Sequence, residues 1–294
     1  MKRLTKFLQR LVLLTIVAML PQLASAHDFV VDGIYYLKNG NEATVTYKGN
    51  SYSSYDNEYS GNVNIPSTVT YNGTTYDVTA IGEYAFYNCT GLQSVNIPNS
   101  VITIGERAFY NCNNLKFYVL TIPNSVKNIN VHAFHGCTAL QTVNFGNSLE
   151  AISGAAFKGC TRLKNINIPN SVTWLGGNAF ADCTSLTTVT IGESVTGIGE
   201  DRPFNGCTAL KTVNWNAKSC PDFSQASTSP FYELTGITTF NFGSSVQKIP
   251  AYLCQGMTGI TSITIPASVT TNAINFIHSK TLHFSLLYPQ KPIC

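Results

Sequence analysis

Residues 81–101 read Ile81-Gly82-Glu83-Tyr84-Ala85-Phe86-Tyr87-Asn88-Cys89-Thr90-Gly91-Leu92-Gln93-Ser94-Val95-Asn96-Ile97-Pro98-Asn99-Ser100-Val101, and this string recurs along most of the chain. Its phenylalanine column runs Phe86, Phe109, Phe134, Phe157, Phe180, Phe204 and Phe231, and Cys254 takes the next place. Three residues after each lies a second column, Cys89, Cys112, Cys137, Cys160, Cys183 and Cys207, continued by Leu234 and Met257. Hydrophobic substitutes in the last two repeats say that this column requires burial rather than sulfur chemistry. A period of about 23 residues is the mark of a solenoid, in which each coil exposes an apolar strip that only its neighbours can cover.

Within a coil, Leu92-x-x-Val95-x-Ile97 predicts a short strand with Val95 and Ile97 inward and Asn96 outward. The inward pairs recur as Val143 and Phe145, Ile166 and Ile168, Val189 and Ile191, Val213 and Trp215, Phe240 and Phe242, and Ile263 and Ile265. Proline at 98, 123, 169 and 266 ends the strand because it cannot donate the next ladder hydrogen bond. The Glu-x-Ala-Phe region suits a helical or 3₁₀ turn on the opposite side. A hydroxyl column, including Ser100, Ser125, Ser171 and Ser268, follows each strand, where a small hydroxyl satisfies backbone groups at the turn.

The pattern Leu-x-x-Val-x-Ile-Pro-x-Ser-Val-x-x-Ile-Gly-x-x-Ala-Phe-x-x-Cys resembles the BspA-type leucine-rich repeats of bacterial surface proteins. It covers residues 81–269 well, with an outlying relative at Val63-Asn64-Ile65-Pro66-Ser67-Thr68-Val69. The resemblance implies an α/β solenoid, a right-handed superhelix with short parallel strands on a concave face. It also implies secretion or surface exposure in bacteria and adhesion to proteins of a host or neighbouring cell. It fixes no ligand, since such repeats serve many partners.

Outside the repeats, Lys2, Arg3, Lys6 and Arg10 precede the apolar run Leu11 to Leu20, and Ala24-Ser25-Ala26 supplies the small residues of a cleavage site. Residues 1–26 are therefore expected to be a cleaved signal peptide, the run being too short to span a bilayer, which takes about 20 residues. Residues 27–58 lack the repeat and predict a small β cap, with Asn39-Gly40 and later Asn72-Gly73 suited to hairpin turns. The solenoid then runs over 59–269. Residues 273–294 show no repeat, so 270–294 reads either as a divergent C-terminal cap or as an altered tail that has lost its proper ending.

Composition narrows the function. Only 11% of the 294 residues are charged and the formal net charge is +3, which removal of the four basic leader residues turns into −1. Neither value gives the electrostatic footprint of a nucleic-acid or anionic-membrane partner. Nine cysteines in an exported chain invite disulfides, yet six lie in one inward column, stacked rather than facing, and are expected to be free thiols. His132-x-x-His135-x-Cys137 is a weak metal pointer, because Cys137 belongs to the core and no carboxylate is near. Scattered Glu83, Glu106, Glu150 and Glu193 give no acid–base pair. No catalytic residue, metal or cofactor is expected.

What remains is the outward face of the strands. Its central row is Asn96, Thr121, Asn144, Asn167, Thr190, Asn214, Asn241 and Thr264. Two extra residues between Leu115 and Ile122 bring Phe117 and Tyr118 to the strand side, and aromatic residues are favoured hot spots. Asn96, Phe117, Tyr118, Thr121, Asn144, Asn167, Thr190, Asn214 and Asn241 are thus the candidate contacts for an extracellular protein. A glycan would suit the same polar rows, and short polar side chains also serve simply to keep an exposed sheet soluble. A hydrolase built on a parallel β-helix would show carboxylates clustered on adjacent coils, which are not seen.

Overall fold

The computed structural model describes residues 26–49, 51, 58–115, 119–272 and 283–286. The expected leader, apart from Ala26, and the inserted Phe117 and Tyr118 lie outside these. The chain is a β-solenoid of stacked coils. One row of strands, here called the front row, contains the predicted segments: Gly61–Asn64, Leu92–Asn96, Leu120–Thr121, Val143–Asn144, Asn165–Asn167, Thr188–Ile191, Thr212–Trp215, Thr239–Phe242 and Ser262–Ile265. Neighbours pair in parallel and in repeat register, as in Asn167↔Thr190 and Thr190↔Asn214. Pairing is interrupted between Leu92–Asn96 and Leu120–Thr121, where the sequence carries its two extra residues. Pairing also lapses between Thr239–Phe242 and Ser262–Ile265, and it persists across the longer 216–230 insertion, where Trp215 pairs with Phe242.

A second row, unforeseen in the repeat, forms from two-residue strands at the Ile-Gly step: Thr103–Ile104, Asn128–Ile129, Ala151–Ile152, Trp174–Leu175 and Gly197–Ile198. These strands continue the sheet of the N-terminal region. Phe29–Val31, Ile34–Asn39 and Glu42–Thr46 form antiparallel hairpins, and Glu42–Thr46 pairs in parallel with Thr74–Ile81, which leads into Thr103–Ile104. Asn72 and Gly73, at φ 48 and 78, make the expected tight turn between Thr68–Tyr71 and Thr74–Ile81. The turn after Ile34–Asn39 sits one residue later than expected, since Asn39 is already paired with Glu42. At the other end, His283–Leu286 pairs with Ser262–Ile265, so a stretch without recognisable repeat still adds a front-row strand.

The core is the predicted pair of columns. The rings of Phe86, Phe109, Phe134, Phe157, Phe180, Phe204 and Phe231 are fully buried and stack in parallel, with centroids 4.8 to 5.7 Å apart. Beside them the thiols of Cys112, Cys137, Cys160, Cys183 and Cys207 each donate to a phenylalanine carbonyl of the preceding coil, at 3.0 to 3.3 Å. The eight described cysteines are free and buried. Ser100, Ser125, Ser171 and Ser268 likewise donate to a carbonyl one coil back, at 2.6 to 2.7 Å, which makes them architectural.

Burial lifts the thiols of Cys112, Cys137, Cys160, Cys183 and Cys254 above their ordinary range, and those of Cys207 and Cys220 to about 12. A neutral-thiol preference contributes stability that is intact below pH 9 and erodes as pH rises from there toward 12. With 5,5′-dithiobis(2-nitrobenzoate) at pH 8, the native protein is expected to leave these eight thiols unlabelled over hours, and unfolding in guanidinium to release them at once. Rapid labelling of the native column would remove it from the core.

The segment opposite the front row is not helical, contrary to the expectation of helical or 3₁₀ turns. Among the described residues the 3₁₀ helix Ala226–Thr228 lies instead in the 216–230 insertion. Around each phenylalanine the backbone alternates. Ala85 N–H, Tyr87 N–H and Cys89 N–H bond to carbonyls three residues back, whereas Tyr84, Phe86 and Asn88 donate to Glu106, Ala108 and Tyr110 of the next coil. The alternation is produced by left-handed residues on either side of the phenylalanine, such as Tyr84 and Asn88 at φ 56 and 52. A helix needs right-handed φ at every residue and keeps its hydrogen bonds to itself. Here half of them are given to the neighbouring coil, so the turn face is laced together much as the strands are.

Candidate binding face

The front row holds its inward residues, Val95, Val189, Val213 and Ile263 among them, against the core, and period-two alternation turns the intervening side chains to solvent. Asn96, Thr121, Asn144, Asn167 and Asn241 are exposed, while Thr190 and Asn214 are half-buried. The stacking therefore brings this predicted row together on one face. Shallow clefts of about 570 and 450 Å³ lie along it, the first lined by Asn64, Asn96, Pro98 and Thr121, the second by Asn144, Phe145, Asn167 and Pro169.

The row divides by its hydrogen bonds. Asn96 Nδ2 donates to Asn64 Oδ1 at 2.8 Å, Asn241 Nδ2 to Asn214 Oδ1 at 2.9 Å, and Asn214 Nδ2 to Thr190 Oγ1 at 3.2 Å. These side chains run as ladders between coils and their polar capacity is partly spent. In the middle, the side chains of Thr121, Asn144 and Asn167 make no intramolecular hydrogen bond among the described residues. They offer full donor and acceptor sets to a partner. Sequence alone gave these positions equal weight, because every coil presents the same residue types there.

The other chemical candidates resolve into structure. His132 Nδ1 and His135 Nδ1 lie 3.1 Å apart on the turn face, with the Tyr110 ring stacked on His135. Burial, then neighbouring His132 and Lys158, hold His135 down at about 4, and burial with Arg107 lowers His132 as well. Cys137 points the other way, its thiol spent on the Phe109 carbonyl. No group of three or more potential metal ligands occurs among the described residues. Of the scattered glutamates, Glu150 meets Lys127 at 3.3 Å and Glu193 meets Lys218 at 2.6 Å, each from an adjacent coil, and Glu106 pairs with the neighbouring Arg107, none of them with another carboxylate. Such exposed pairs contribute at most about 1 kcal/mol each.

Stacked parallel strands, a 23-residue period and the paired phenylalanine and cysteine columns are what a family comparison then meets. The model of the BspA type leucine rich repeat region matches in six copies, over residues 53–120, 114–220 and 194–284. The chain belongs to this family. Among solved structures, the BspA-type chain is similar to a leucine-rich repeat protein from Bacteroides ovatus ATCC 8483, at 32% identity and a TM-score of 0.62, over 88% of this chain and 67% of that one. It is also similar to a leucine-rich repeat protein of T. pallidum, at 22% identity and a TM-score of 0.48, covering 79% of this chain and 90% of that one. A leucine rich cell surface protein from Faecalibacterium prausnitzii A2-165 matches at 23% identity and a TM-score of 0.38, over 85% of each chain. No curated protein matches. The BspA-type family is one of bacterial surface proteins, and among the described residues no helix is long and apolar enough to cross a membrane.

Proposed function

We propose that this BspA-type chain is an exported, non-catalytic scaffold that holds a protein of a host or neighbouring microbial surface on its front strand face. The observation that carries this reading is the unspent polar row at Thr121, Asn144 and Asn167, displayed at coil spacing on a rigid sheet that is nearly free of charge. A rigid array pays little ordering cost on binding, so many modest contacts add to useful affinity. Export is supported by the basic and apolar leader expected from the sequence, and a surface role by the family's association with bacterial surface proteins. Phe117 and Tyr118, which lie outside the described residues, are the aromatic anchors this reading takes from the sequence.

The test is an array carrying extracellular host and microbial proteins together with glycans, probed with the purified chain. Saturable binding to a protein is expected, weakened at least tenfold by Asn144→Ala with Asn167→Ala, and again by Phe117→Ala with Tyr118→Ala. The asparagine pair should change stability by no more than about 0.5 kcal/mol, as exposed substitutions do. Binding confined to glycans would replace the protein partner with a carbohydrate one. Binding unaffected by either double variant would move the site off the front face.

A further inference from the structure

The two rows of the solenoid end differently at the N-terminal side. The second row runs on into the hairpins of residues 29–46, whose outer strand Phe29–Val31 pairs with Ile34–Asn39 alone among the described strands. The front row stops at Gly61–Asn64, which pairs on one side with Leu92–Asn96 and on the other with nothing among the described strands. Gly61 N–H donates to Gly91 O and Ile65 N–H to Asn96 O. Strand alternation therefore turns the N–H and C=O groups of Asn62 and Asn64 to the open edge. Their side chains are engaged elsewhere, Asn62 Oδ1 with Ser94 at 2.6 Å and Asn64 Oδ1 with Asn96 at 2.8 Å. The open edge thus presents the backbone groups of Asn62 and Asn64.

Facing that edge is a cleft of about 740 Å³ between the front row and the hairpins, lined by Val31, Asp32, Tyr36, Glu58, Asn62 and Val69 among others. This volume falls within the range of functional ligand sites. The charged residues that line it, Asp32 and Glu58, are both acidic. Glu58 Oε2 accepts the Lys48 backbone N–H at 2.7 Å, but Glu58 Oε1 is buried with no hydrogen-bond partner among the described residues. A buried carboxylate oxygen left unpaired is costly until a donor reaches it. Burial also raises the Glu58 carboxyl above the usual range.

We propose that this cleft takes an extended peptide segment of a partner protein, added as a further strand along Gly61–Asn64 and carrying a lysine or arginine that meets Glu58 and Asp32. Backbone bonds to Asn62 and Asn64 supply sequence-independent affinity, as in other strand-addition complexes, while the apolar wall at Val31 and Val69 selects alternate side chains. The acidic pair supplies charge selection. This edge site is separate from the exposed asparagine row and does not rest on its reading.

The experiment pans the purified chain against a random heptapeptide phage library and remakes the enriched sequences as synthetic peptides for fluorescence anisotropy. Enriched peptides should alternate apolar and polar residues and carry a central Lys or Arg. N-methylation at every second backbone nitrogen should abolish binding in one register and spare it in the other, a readout that needs no change to the protein. Asn64→Pro, which removes an outward N–H and the side-chain bond to Asn96 while leaving the backbone bonds to Leu92–Asn96 in place, should weaken binding at least tenfold. Glu58→Gln should erase the preference for the basic peptide over its leucine analogue. Asn144→Ala with Asn167→Ala should leave all of this unchanged. The proposal is overturned by the absence of any enrichment, by equal tolerance of both methylation registers, or by an enriched peptide that binds the Asn64→Pro chain within twofold of the parent. Edge-to-edge pairing of two copies in place of peptide capture would overturn it as well.

Discussion

Replacing Phe157 with alanine is expected to cost about 3 to 5 kcal/mol and to split the unfolding of the solenoid into two transitions. The ring has no solvent exposure and lies between Phe134 and Phe180, at 5.1 and 5.2 Å, with interplanar angles of 6° and 3°. Phe145 meets it edge-on at 5.7 Å. Truncation thus removes apolar burial and three ring contacts, and leaves a cavity that backbone laced to both neighbouring coils cannot collapse to fill. Each coil of a solenoid touches only its neighbours. Weakening one central interface therefore uncouples the coils on either side instead of lowering the whole molecule evenly. Urea unfolding followed by tryptophan fluorescence reports the C-terminal half, where Trp174 and Trp215 lie, and circular dichroism reports the whole. Coincident transitions at the parent midpoint would show that the stacked column does not carry the fold.

Gly159→Val is expected to cost about 2 to 3 kcal/mol, and Gly159→Asn less than about 1 kcal/mol. Gly159 has φ 73 and follows the core phenylalanine by two residues. Asn88, Asn111 and Asp182 hold the same place in other coils at φ 52, 56 and 59. The left-handed region penalises a β-branched side chain heavily and asparagine mildly, since its short amide bonds locally. Space does not decide the outcome, because a Cβ at Gly159 would find nothing nearer than 3.8 Å. The difference between the two variants therefore isolates backbone conformation. If valine and asparagine melt alike, the alternating turn is not what holds the coil face, and a helical turn would be restored as its description.

Much of this architecture was legible because a repeat states the same constraint many times over. Phe86 and Cys89 alone would be two apolar residues, whereas seven aligned phenylalanines and six aligned cysteines define buried columns without reference to coordinates. The outward row was legible for the same reason, through alternation about Val95, Val189 and Val213. The second strand row was not. Two residues per coil are too few for alternation to register, and their pairing depends on the neighbouring coil. The helical expectation for Glu-x-Ala-Phe failed through a signal that was present. Asparagine, glycine and aspartate at 88, 111, 136, 159, 182 and 206 mark a left-handed position in six successive coils, which breaks a helix there, and Glu233 takes the same conformation at φ 64.

Sequence alone determined the coil, its length and which side chains go inward, since those follow from local periodicity and the cost of exposing apolar surface. Tertiary structure decided what coils do to one another: hydrogen bonds donated across the turn face, the division of the asparagine row into spent and unspent amides, and the continuation of the second row into the N-terminal hairpins while the front row stops at Gly61–Asn64. Such outcomes depend on which backbone groups find a partner in the adjacent coil, and a residue's partner one coil away is fixed only once the stack has formed.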